Sequence, residues 1–131
     1  MVRDISIIVI ILIIVIASDL VIGTYLDKTS NKMVGELETL KEKTLTVGED
    51  GNRKEIESEV KRIEDELEKI INKWSTVVMH QEIDNIEQAL VKAKSSIEHG
   101  KIEDAIPEID TAIFFVEHVN KREKINFKNI F

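Results

Sequence analysis

The sequence has no cysteine, one proline, five glycines, one tryptophan and one tyrosine in 131 residues. Without cysteine there are no disulfides, thiolate metal sites or cysteine nucleophiles, and no lipid can attach through an N-terminal cysteine. Proline and glycine are the residues that most disrupt helices, so their scarcity suits long ones. Basic residues are also outnumbered. There are 18 against 25 acidic, a net charge of −7. Beyond residue 23 the balance is 17 to 23, net −6. That charge repels a phosphate backbone, and no basic stripe with interleaved aromatics offsets it, so nucleic acid is not an expected partner. The charged fraction is high, but Ile, Leu and Val recur at regular intervals, which disordered chains lack.

What the sequence has in abundance lies at its start. Residues 5–17 read ISIIVIILIIVIA, and after Ser18 and Asp19 the run resumes as LVIG to residue 23. Nineteen residues of helix span roughly 28 Å, close to the thickness of a bilayer's hydrocarbon core. Residues 7–17 have no polar face, so residues 1–23 read as a membrane anchor, with Ile5, Ile8, Leu12, Val15 and Ile16 facing lipid. Asp19 falls near the exit, where a carboxylate can reach the headgroups. A cleaved signal peptide and a buried soluble helix are the alternatives. Arg3 before the span, and Asp19 and Asp27 at or after it, favour an extracytoplasmic C-terminal domain.

Residues 24–131 read as one all-α domain, a bundle of three or four long antiparallel helices continuous with the anchor. A stalk helix is expected over 24–47, with Met33, Leu37, Leu40, Thr44 and Val47 on one face. GEDGN at 48–52 reads as a turn. Then Ile56, Val60, Ile63, Leu67, Ile70, Trp74 and Val77 follow at alternating spacings of 4 and 3, a heptad seam of the coiled-coil type. A second pattern (Met79, Ile83, Ile86, Leu90, Ala93, Ile97) is offset from the first. With no glycine or proline between them, 53–99 reads as one long helix, a short joint near 77–80 being the alternative. Gly100 marks a left-handed cap. The last helix is expected over 103–124, with Pro107 in its first turn and Ile102, Ile106, Ile109, Ile113, Val116 and Val119 inward. Residues 125–131 are expected to fold back as a cap.

One polar neighbourhood stands out. Trp74, His80, Glu82 and Asp84 precede the 100 turn, and Glu117, His118 and Glu123 follow it. A hairpin turning at residue 100 brings the two groups level. The favoured reading is a structural or partner-binding polar lock; a divalent metal on His80, Asp84 and His118 is the sharper alternative. Carboxylate-bridged di-metal bundles carry two Glu-x-x-His motifs, and the sequence has neither. No serine sits in a nucleophile pattern, and no glycine-rich phosphate loop is present. No catalytic, cofactor or metal residues are therefore assigned, and no cofactor is expected.

Trp74, the run HQEIDNIEQAL at 80–90, and FFVEHVNKREKINFKNIF at 114–131 resemble the DUF4363 family. The resemblance implies a small membrane-associated helical protein of Firmicutes and assigns no activity. The expected function is a membrane-tethered, non-enzymatic interaction or accessory module. Its expected partners are the bilayer, through residues 5–23, and a membrane protein or a second copy. The alternative is a metal- or ligand-sensing bundle.

Overall fold

A computed structural model describes the backbone of residues 1–47 and 52–130, with side chains except at 47, 120 and 122–130. Among the described residues there are four α-helices: α1 (Val2–Val47), α2 (Arg53–Trp74), α3 (His80–Glu98) and α4 (Ile102–Ile130). α1 packs on α2, α2 on α3, α3 on α4, and α4 on α1. The diagonal pairs do not approach one another, so the helices form a four-membered ring around one core.

α1 is one helix of 46 residues. Up to Ser18 every side chain is exposed, Ile5, Ile8, Leu12, Val15 and Ile16 among them. The helix is long and apolar enough to cross a membrane. Its second half buries Leu26, Ser30, Met33, Leu37, Leu40 and Thr44 at the 4–3 spacing of a heptad. The two hydroxyls on this seam need no partner from another helix. Thr44 Oγ1 donates to the Leu40 carbonyl at 2.7 Å and Ser30 Oγ to that of Asp27 at 3.2 Å. A buried hydroxyl left unbonded would cost about 1–3 kcal/mol, so the helix's own backbone keeps these positions neutral.

α2 buries Ile56, Val60, Ile63, Leu67, Ile70 and Trp74, as the heptad requires. It does not run on to 99. The chain turns at Ser75–Val78, Met79 is extended (φ −63°, ψ 135°), and α3 starts at His80. The cause is local. Ser75 and Thr76 donate their hydroxyls to the carbonyls of Asn72 and Lys73, and Val78 N–H bonds back to Trp74 at 2.7 Å. Ser, Thr and two valines in a row combine competing side-chain bonds with stiff β-branched chains. Val78 rather than Val77 is buried as a result, and Met79 is exposed.

The α3–α4 turn forms as the sequence implies. Gly100 has φ +75°; its N–H bonds to Ile97 at 3.0 Å and that of Lys101 to Ser96 at 2.8 Å, the paired bonds of a Schellman cap. α4 departs from expectation in three ways. Its buried stripe is Ala105, Ile109, Ala112, Val116 and Val119, with Ile102, Ile106 and Ile113 only partly covered. The alanines of α4 face inward, as do Ala89 and Ala93 of α3, because small side chains let helices approach closely and the larger isoleucines fill the flanks. Pro107 lies in the second turn rather than the first, at an exposed position. The backbone stays helical to Ile130, so 125–130 is not a folded-back cap. Residues 48–51 of the expected turn, and Phe131, lie outside the described residues.

Two substitutions test this packing by denaturant unfolding followed by helical circular dichroism. Ile109→Ala should cost about 2–5 kcal/mol by leaving a cavity. Ala112→Leu should cost about 1–3 kcal/mol by overfilling the α4 seam; a neutral Ala112→Leu would place that seam elsewhere.

Candidate functional site

Charge and aromatic contacts fix the register of the helices. Down α1 from its far end, Lys43 meets Glu59 at 3.7 Å, Glu36 meets Arg62 at 3.5 Å and Lys32 meets Glu66 at 3.6 Å. Thr29 then meets Trp74 at 3.0 Å. Lys41 holds Asp110 of α4 at 2.7 Å, and Lys94 of α3 holds Glu64 of α2 at 2.9 Å. Ends and turns thus sort into two poles. The membrane-proximal pole holds the exit of the apolar span and the α2–α3 joint. The distal pole holds Gly100 and the start of α2.

Arg62 is the hub of the α1–α2 contact. It reaches Glu59 at 2.7 Å, Glu66 at 3.2 Å and Glu36 at 3.5 Å. The bond from Arg62 holds Glu59 below the usual carboxylate range. Glu36 and Glu66 differ. Each has one buried oxygen, Oε2, that accepts no hydrogen bond. Burial, and then the neighbouring Glu66, push Glu36 up, while a hydrogen bond from Glu36, followed by the charge of Lys32, pulls Glu66 down.

At the proximal pole, Trp74 is fully buried. Its Nε1–H donates to Thr29 Oγ1, and the Thr29 hydroxyl donates to the Tyr25 carbonyl at 2.8 Å. The Lys73 ammonium lies 5.4 Å from the centre of the Tyr25 ring. The indole N–H is therefore satisfied in the core, and the end of α2 is tied to the turn of α1 that leaves the apolar span.

The polar residues singled out from sequence differ in burial. Glu82 is buried, whereas His80, Asp84, Glu117 and His118 are exposed. His80 and Asp84 share a helix face, but it is not the face of Ile83, Ile86 and Leu90 that meets the core. His118 stacks on exposed Phe114, ring centres 5.9 Å apart. The Glu123 side chain lies outside the described residues. Among the described residues no three His, Asp or Glu side chains group closely enough to hold a metal ion. Sequence reading passed over Thr29, Tyr25, Glu36 and Arg62. A signal was there: Thr29 and Ser30 interrupt the stripe between Leu26 and Met33, and Arg62 has acids three residues before and four after.

Between α2 and α3 runs an open groove of about 410 Å³, lined by Leu67, Ile71, Leu90 and Val91 with the carboxylates of Glu64, Glu68 and Glu87. It holds no convergent set of polar groups that could bind a reactant. Against this geometry, the family model described as "Domain of unknown function (DUF4363)" matches residues 20–130. The chain belongs to the DUF4363 family. No curated protein and no solved structure matches it. The matched region starts at Leu20, so it takes in the end of the apolar stretch together with the bundle. This DUF4363 chain is a membrane-associated all-α protein without a catalytic cluster among its described residues.

The Glu36 pair predicts a signed pH effect. Folding raises the Glu36 carboxyl above its ordinary value of 4.5, so the folded state binds that proton more tightly. Its contribution is complete below the unfolded value and is lost as pH rises through the folded one. Glu36→Gln keeps a donor toward Glu66 and removes the buried charge. It should melt at a higher temperature than the parent at pH 8, and the gap should close below about pH 4.5. At the proximal tie, Thr29→Val leaves the indole N–H of Trp74 without an acceptor and should cost about 1–3 kcal/mol.

Proposed function

We propose that this DUF4363 chain is a single-pass membrane protein whose bundle acts by contact, binding a membrane protein or a second copy, with no catalysis of its own. The observation that carries the reading is α1 itself. One unbroken helix bears an uncovered apolar stretch at one end and the seam of a closed bundle at the other. Such a helix holds the bundle at a set height and orientation above a bilayer, which is useful to a protein that works by presenting a surface. Phe114 supports a contact role. It is 61% exposed outside the span, stacked on His118, while its neighbour Phe115 packs against the core. Exposed aromatics of this kind are common anchors of protein interfaces.

Arg3 before the span, and Asp19 and Asp27 at or after its exit, favour an extracytoplasmic bundle. The lack of cysteine makes this easy to test. Lys101→Cys, exposed at the distal pole, should react with a membrane-impermeant maleimide in intact cells. Labelling only after lysis would reverse the orientation. For the contact role, a photo-crosslinking residue at Phe114 in native membranes should give one adduct of defined mass, absent when the probe is at Lys54. The same diffuse pattern from both positions would count against a partner surface there.

A further inference from the structure

α4 reaches further toward the anchor than α3 does. Lys41 of α1 holds Asp110 of α4, and nearer the distal pole Thr44 and Leu45 line one cavity with Ile102 and Ile106. The two helices therefore run antiparallel in a fixed register. From Asp110, α4 stays helical for twenty more residues to Ile130, about 30 Å. The same length back along α1 from Lys41 ends at Val21, in the last turn of the apolar stretch. A crossing angle of about 20°, usual between bundle helices, shortens that reach by only about 2 Å. α3 starts at His80, and the hairpin about Gly100 sets that residue level with position 120. The last ten residues of α4 thus run on past α3, to the depth where the apolar stretch of α1 ends.

The charge of that segment is opposite to the rest. Residues 120–131 hold four basic residues (Lys121, Arg122, Lys124 and Lys128) and one acid, Glu123, a net of +3. With the chain at −7, the other residues carry −10. Ile125, Phe127 and Ile130 alternate with the basic residues, a composition suited to the boundary between headgroups and acyl chains. Asp19 and Asp27 of α1 fall near this depth too, but Lys28 and Lys73 accompany them. We propose that α4 over 121–130 is a binding site for anionic phospholipid headgroups of the bilayer that α1 spans. The occupant is lipid because of depth and sign together. The basic residues lie where α1 passes the headgroups, and clusters of Lys and Arg beside a span attract acidic lipids. The acidic remainder of the bundle is repelled by the same surface, so the contact also sets which end of the bundle faces it. The inference rests on the reading of α1 as a membrane span.

Lipid selectivity separates the two claims. The full chain is reconstituted in phosphatidylcholine vesicles with a trace of spin-labelled lipid, either phosphatidylcholine or phosphatidylglycerol. A spanning helix slows the lipids around it whatever their headgroup, so the motionally restricted part of the phosphatidylcholine signal reports the anchor. Phosphatidylglycerol should associate severalfold more tightly than phosphatidylcholine. That preference should shrink toward parity when Lys121→Gln, Arg122→Gln, Lys124→Gln and Lys128→Gln are combined. High salt on the unaltered chain makes the same test without a substitution, and should have the same effect. Equal restriction of the two labels overturns the lipid site and leaves the anchor intact. A preference unchanged by the four substitutions or by salt also overturns the site, because its source is then not the charge on α4. No restricted phosphatidylcholine at all removes the anchor, and the lipid site with it.

Discussion

Everything in this protein depends on α1 remaining a single helix through the point where its surroundings change. Up to residue 18 its side chains are exposed on all sides; from Leu26 onward one stripe is buried. The same backbone therefore serves two solvents. Hydroxyls along its length bond back to their own helix, Ser18 to Ile14, Thr24 to Leu20 and Thr29 to Tyr25. In lipid that removes a polar liability; in the bundle it lets small polar residues occupy a seam. Gly23 and Gly35 are the weak helix formers in this stretch, and no neighbouring group presses on either position.

The relative sizes of the interactions show what holds the bundle together. Each fully buried Ile, Leu or Trp contributes about 1.5–3 kcal/mol, and the seams supply many of these. The surface ion pairs are worth about 0–1 kcal/mol each. Their value is in register: Lys43–Glu59, Glu36–Arg62 and Lys32–Glu66 follow one another along the α1–α2 contact, and a slip by one turn would set most of them against the wrong partners. The Glu36–Glu66 pair is the costly member of the series, since two carboxyls meet there under partial burial.

Periodicity made the seams of α1 and α2 legible, along with Ile83 to Ile97 of α3 and the Gly100 cap, because each depends on local spacing or on a single backbone conformation. The break at 75–79 was less legible. It contains neither glycine nor proline, and four moderately poor helix formers in sequence, Ser75 to Val78, end α2 together. The face of α4 was misjudged because isoleucine outranks alanine in hydrophobicity, while close helix contact selects the smaller side chain. The polar residues near the joint show a related limit. Spacing showed that His80 and Asp84 share a face, but which face meets the core is decided by Ile83, Ile86 and Leu90. Thr29, which holds the only tryptophan, was hidden because its role comes from a helix 45 residues away.

A DUF4363 chain built this way couples a bilayer to a protein surface through one rigid element. Distance measurement between spin labels at Ile14→Cys and Glu38→Cys in lipid nanodiscs tests that coupling most directly, because the pair brackets the change of solvent. A continuous helix predicts one narrow distribution centred near 36 Å, from 24 residues at about 1.5 Å each. A broad distribution, or one centred well below that distance, would mean that α1 bends where it leaves the membrane and that the bundle hangs from a hinge.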